Sequence, residues 1–177
     1  MSLHSVMYRL WQVRQQLGSV APLSAEERAE VVRWLPVSAL ALFETMSVAD
    51  QRHSLRVCGG LQARGCTDND LLAAALLHDV GKAQGRVPFW TRPVIVLGKL
   101  FFPRLLARFV VPPAKETGRY RPLHAWGHAL RNAWWHAEIG ADLAAAAGLS
   151  ERAVLYIRTH HQPNGPAAEL HIVDEAS

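Results

Sequence analysis

Cysteine is nearly absent from this chain: Cys58 and Cys66 are the only two in 177 residues, and both fall on helix-like sequence. They read as reduced packing residues, with a bridge between them the less supported alternative, and two cysteines are too few for the disulfide-framed class of small secreted domains. Alternation of apolar and polar residues at strand period is missing over any useful length, and there are no internal repeats or low-complexity tracts. The expectation is an all-α fold. An unbroken apolar run of signal-peptide type is also lacking near the amino terminus, because Arg9 and Arg14 interrupt Leu3 to Leu17. Cytoplasmic residence is expected on that ground. At 177 residues the chain is long enough to bury a substantial core as one unit without disulfides or a structural metal.

Acidic residues are scarce in one region. Between Lys82 and Arg121 nine Lys or Arg face Glu116 alone, a local charge of +8, whereas the remainder carries −4 and the whole chain +4. Such a segment either attracts an anion, as a phosphorylated substrate or an acidic membrane surface, or is a solvated basic face. No specific nucleic-acid partner is expected. Within it, Val94 to Val111 is strongly apolar but carries Lys99, Arg104 and Arg108 with Pro103. Each central charge costs roughly 2.5 to 3.5 kcal/mol on insertion, which excludes a membrane span. Trp90, Phe101, Phe102 and Phe109 beside the basic residues leave three readings: an in-plane helix at the inner membrane face, a lid, or a self-association face that would make a homodimer.

What is present is helical pattern. Val6, Met7, Leu10, Val13 and Leu17 predict an amphipathic first helix. Ser24-Ala-Glu-Glu27 has the capping-box spacing and opens a helix to about Leu35. Val37 to Met46 reads as a buried helix. His53, Val57 and Leu61 share a stripe on the next, so His53 should face inward; Gly65 stops that helix, and Thr67 is expected to cap the one after it. Gln84 to Pro93 and Pro112 to Pro122 read as loops. His124, His128, Asn132 and His136 recur every four residues, which aligns them on one face if the helix is unbroken. Trp134 and Trp135 read as core residues. Gly148 ends that helix, Ser150 caps another running to His160 and His161, and a short last helix carries Asp174.

The chemistry gathers around Asp70 to Lys82, an apolar helix ending in His78-Asp79-Val-Gly-Lys82. Neutral imidazole and ionised carboxylate suit borderline divalent metals, and a carboxylate has a second oxygen with which to bridge another ion. Neighbouring side chains on a regular helix do not face each other, so this pair shares a site only where the helix ends. Gly81 is expected to provide that end as a C-terminal cap. Taken alone, such a doublet is more often a hydrogen-bonded His-Asp pair without metal.

From about Asp50 to Asp174 the chain resembles the HD superfamily of metal-dependent phosphohydrolases. His53 in Asp-Gln-Arg-His-Ser-Leu-Arg-Val stands as the first histidine, His78-Asp79 as the doublet that names the family, and Asp174 in Leu-His-Ile-Val-Asp-Glu-Ala as the closing aspartate. His136-Ala-Glu-Ile-Gly-Ala and Arg158-Thr-His160-His161 resemble the extra histidines of the two-metal branches. The resemblance implies a compact helical bundle of HD type over 48–177, carrying the apolar-basic helical insert and joined in one unit to an N-terminal helical extension over 1–47. It implies that His53, His78, Asp79 and Asp174 hold one divalent transition metal, drawn from Fe, Mn, Co, Ni or Zn. Asp79 would bridge to a second held by His136 and His160, with His161 as a further ligand or a donor behind them. Lys82 would bind the substrate's phosphate.

The implied activity is hydrolysis of a phosphoester or phosphoanhydride, in a nucleotide, by water that the ions activate. The alternative is a non-catalytic module that binds metal or nucleotide to sense a ligand or dock on a membrane. The Gly-Tyr-Pro signature of the cyclic-dinucleotide branch is replaced here by Gln162-Pro-Asn-Gly-Pro166, and Ala49 stands where a third-metal ligand would be. The layout is nearer to the small bacterial branch that cleaves diadenosine tetraphosphate symmetrically, with a basic insert and added amino-terminal helices.

Overall fold

The computed structural model describes residues 21–83 and 125–177, with backbone alone at 125–133. The first helix expected at Leu3 to Leu17, both loops, the Val94 to Val111 segment, His124 and the side chain of His128 lie outside the described residues. Among the described residues all regular structure is helical: α1 (Ala25–Trp34), α2 (Val37–Glu44), α3 (Val48–Ala63), α4 (Asn69–Leu77), a 3-10 turn (Val80–Lys82), α5 (Ala125–Ala146), α6 (Glu151–Thr159) and α7 (Ala168–Ala176). No described helix is long and apolar enough to cross a membrane.

Local chemistry accounts for most helix starts. Ser24 and Glu27 form the expected capping box on α1, while Ser47 and Ser150 accept backbone N–H groups at the starts of α3 and α6. For α4 the cap is Asp68 and not Thr67: its carboxylate accepts from Asp70 N and Leu71 N. An ionised cap adds charge to the hydrogen bond and answers the helix dipole, so the acid prevails over the hydroxyl one residue earlier. Gly65 and Gly148 end α3 and α5 in the left-handed region, at φ +85° and +83°.

The centre of the molecule is α4, in which Leu71 to Leu77 are all buried. A helix that is apolar all round must be enclosed, and α3 and α6 pack on it from two sides, with α1 against it as well. Fully burying side chains such as Leu72, Leu76 and Leu77 contributes about 1.5 to 3 kcal/mol each. Val31, Leu35, Ala39 and Phe43 of α1 and α2 belong to the same continuous core as Val57, Leu61, Ile157 and Leu170. In α2 only Ala39 and Phe43 are buried, and Val37 is 85 % exposed, so this helix covers the core with one edge and is not itself interior.

The two short helices α4 and α6 lie parallel. At their starts Ser150 and Arg152 donate to Asp70, while Arg152 and Tyr156 reach Asp68. These exposed pairs contribute little energy, but they fix which ends meet. With their first turns joined, their last turns also coincide, and His78-Asp79 and His160-His161 emerge at the same end of the bundle.

Candidate metal centre

His78 and His160 are helix C-caps of the same design. The Nδ1–H of His78 donates to the Ala75 carbonyl at 2.8 Å, and that of His160 to the Ile157 carbonyl at 2.6 Å. Each ring thereby satisfies a carbonyl of its own last turn and turns Nε2 away from its helix. Both Nε2 atoms are fully buried and have no hydrogen-bond partner. A buried ring nitrogen left without a partner costs about 1 to 3 kcal/mol, unless a cation takes its lone pair. The other nitrogen tied to a carbonyl is how proteins orient metal-binding imidazoles.

Two carboxylates face His78 Nε2: Asp174 Oδ1 at 3.4 Å and Asp79 Oδ2 at 3.7 Å. His53 Nε2 is 2.9 Å from Asp174 Oδ1. The other oxygen of Asp79, Oδ1, lies 3.7 Å from His136 Nε2 and 2.5 Å from Lys82 Nζ. Asp79 therefore points one oxygen at each of two groups of histidines. The first group is His53, His78 and Asp79, and the second is His136, His160 and His161; within each, the candidate ligand atoms lie within 4.8 Å of one another. His136 Nε2 and His161 Nε2 approach to 2.8 Å, a separation at which two imidazoles share one proton. The His160 ring stands between the groups, its centroid 5.2 Å from that of His78 and 5.4 Å from that of His136.

Charge is concentrated where water is excluded. Burial alone would raise the Asp79 carboxyl, yet Lys82, His78 and His136 outweigh it and hold the group well below the ordinary carboxylate range. Burial likewise opposes the Asp174 carboxylate, and the facing His53 and His78 rings more than offset it, so this acid too is held far down. Burial depresses His78, but the two carboxylates overcome it and favour a positive charge there. His136 is pushed well below its usual value by burial and by Lys82. His160 falls to about 3 through burial and its neighbours His78 and His161. The centre thus combines firmly ionised carboxylates with two imidazoles, His136 and His160, that stay neutral, the protonation states that divalent-metal ligands require, whereas His78 must give up the proton that its two carboxylates favour before it can bind a metal. These His/Asp clusters fit a metal ion.

The family resemblance placed His53, His78, Asp79, His136, His160, His161, Asp174 and Lys82 in one site, and the fold brings all eight together. His78, Asp79, His136 and His160 form its buried floor, while His53, Asp174, Lys82 and His161 reach the solvent side. Two local expectations give way. Gly81 is not a left-handed cap, because the chain turns by a 3-10 helix from Asp79 onwards. Glycine is needed there for room: a Cβ would run into the His136 carbonyl oxygen, and one on Gly140 would lie 3.3 Å from Gly81 N. These glycines let the doublet and α5 approach closely enough for Asp79 to face His136. The unbroken helix on which the four-residue histidine repeat depended is also absent just before His136, where Trp135 breaks α5 with φ −104° and ψ 16°. Trp134 and Trp135 are half-buried and not core.

One contact escaped the sequence reading: His171 Nδ1 donates to the His160 carbonyl at 3.2 Å. Its signal was available, for His171 stands one helical turn before Asp174. No family model, curated protein or solved structure matches this chain.

Proposed function

We propose that this chain is a metal-dependent phosphohydrolase of HD type, acting on a phosphoester or phosphoanhydride in a nucleotide. One observation carries the reading: two buried imidazoles, His78 and His160, commit Nδ1 to their own helices and leave buried Nε2 atoms without a hydrogen-bond partner, on rings whose centroids lie 5.2 Å apart. His53, His78, Asp79 and Asp174 would hold one divalent transition metal, and Asp79, His136, His160 and His161 a second. Ions held there supply Lewis-acid polarisation of a phosphoryl oxygen and lower the pKa of a water.

The chain's own residues supply the rest. Asp79 stays ionised and turns one oxygen toward each ligand group, which fixes their separation. The buried floor excludes water from one side, so the substrate enters from the side of His53, Asp174 and Lys82. Lys82, held over Asp79 at 2.5 Å, is within reach of a phosphate seated against the same carboxylate and offers it a point charge. The charge of +8 between Lys82 and Arg121 favours an anionic substrate.

The test is turnover of a panel of mononucleotides, cyclic nucleotides and dinucleoside polyphosphates by protein loaded without oxygen with manganese, iron, cobalt or nickel. At least one substrate should be cleaved, with the new oxygen drawn from heavy-oxygen water. His136→Ala should abolish turnover while leaving the far-UV circular dichroism unchanged. A panel with no turnover, in which a nucleotide still raises the melting temperature, would replace hydrolysis with ligand sensing.

A further inference from the structure

His171 belongs to neither ligand group, yet its ring touches the backbone of one. The His160 carbonyl that it binds is among those that the end of α6 leaves without an intrahelical partner. His171 and Asp174, three residues apart on α7, share a helical face, and Asp174 Oδ1 is bonded to His53 Nε2 at 2.9 Å. The two helices concerned are anchored separately: α7 packs chiefly on α3, whereas α6 packs on α4 and α5. The chain between them, from His161 to Ala167, contains Pro163, Gly165 and Pro166 and makes turns instead of a rigid helix. The His171 bond is therefore a direct tie between the helix that bears Asp174 and the helix end that bears His160 and His161.

We propose that His171 is a positioning residue that sets the spacing between the two ligand groups by clamping α7 to the last turn of α6. The inference rests on the metal reading above and adds a residue to it. A ring that bonds a main-chain carbonyl beside two ligands acts on all that this carbonyl's peptide carries: the directions of both His160 and His161. Asn is the conservative replacement, since its side-chain N–H₂ can occupy the place of Nδ1–H and donate to the same oxygen, whereas Ala removes the donor.

The experiment is a cobalt titration of the full chain, wild type and His171 variants, followed by visible absorbance, which reports coordination without requiring activity. The phase belonging to His136, His160 and His161 is identified by its loss in His136→Ala. In His171→Ala that phase should weaken by about tenfold, the lower end of what loss of an outer-shell partner costs, with an altered band shape. His171→Asn should restore both. Equal titrations for wild type and His171→Ala overturn the assignment, as does an Asn variant no better than Ala. So does a lowered melting temperature with unchanged cobalt binding, which marks a merely structural contact. A wild-type chain that takes up no cobalt sinks the metal reading itself, and this assignment with it.

Discussion

At the residue scale, His160 has both ring nitrogens assigned: one to Ile157, the other to the centre. The folded ring takes up a proton only near pH 3, while in the unfolded chain it does so near its ordinary value of about 6.5. Between these values the unfolded state binds the proton and the native state does not, so this group's contribution to stability falls as pH drops below 6.5. His136 acts in the same direction, and His78, whose value is raised, opposes them. In chelator-treated protein, denaturant titrations at pH 7 and pH 5 should show wild type losing about 2 kcal/mol more than His160→Gln. Equal losses would mean that His160 titrates normally in the folded chain. Asp79 allows a second test, because it alone offers an oxygen to each group. Asp79→Ala should lose all bound transition metal by elemental analysis, whereas His136→Ala should retain the ion at His53 and Asp174. Full occupancy in Asp79→Ala would remove Asp79 from the bridge.

At the scale of elements, adjacent glycines on α3 should respond with opposite signs. A Cβ on Gly59 would meet nothing within 4 Å, but one on Gly60 would lie 2.6 Å from Val173 Cγ1, where α7 crosses. Gly59→Ala should stabilise by about 0.5 to 1 kcal/mol, through helix propensity and a less flexible unfolded chain. Gly60→Ala should destabilise by about 1 to 3 kcal/mol, because Val173 has little room to retreat and α7 must shift. Thermal melts of the two variants decide it, and a stabilising Gly60→Ala would show that α7 is not held against α3. The same crossing sets the height of Asp174, one residue beyond Val173, so Gly60 acts on the centre through packing alone.

At the scale of the whole molecule, the centre joins α3, α4, α5, α6 and α7, and two ions sharing Asp79 would together cross-link all five. Binding to the folded state alone stabilises by RT ln(1 + [L]/Kd), about 2.7 kcal/mol at a hundredfold excess over Kd. Manganese or cobalt should therefore raise the melting temperature in a concentration-dependent way, and a chelator should reverse the rise. A melting temperature indifferent to both would show that the clusters hold no ion, and that their orphaned nitrogens are a cost the fold bears.

The helical class and most of the helix ends are legible in the sequence alone, while the set of clustered residues came from its resemblance to a family and not from periodicity. Class and ends depend on information local in the chain: apolar period, capping side chains, and glycines at helix ends such as Gly65 and Gly148. The His78-Asp79 doublet is legible for the same reason, since it follows directly on an apolar helix that must be enclosed. How the ligands face one another was settled by packing between distant segments. Gly81 reads as a cap until α5 is seen pressing on it, and the histidine repeat reads as one face only on an unbroken helix, which Trp135 interrupts. Asp68 displaces Thr67 as a cap while also receiving Arg152 and Tyr156 from α6. Nothing local marks His171 beyond its place one turn before Asp174, until α6 ends beside it. In each case the deciding atom lies on a segment distant in sequence, and a local pattern carries no record of which distant backbone will come within contact.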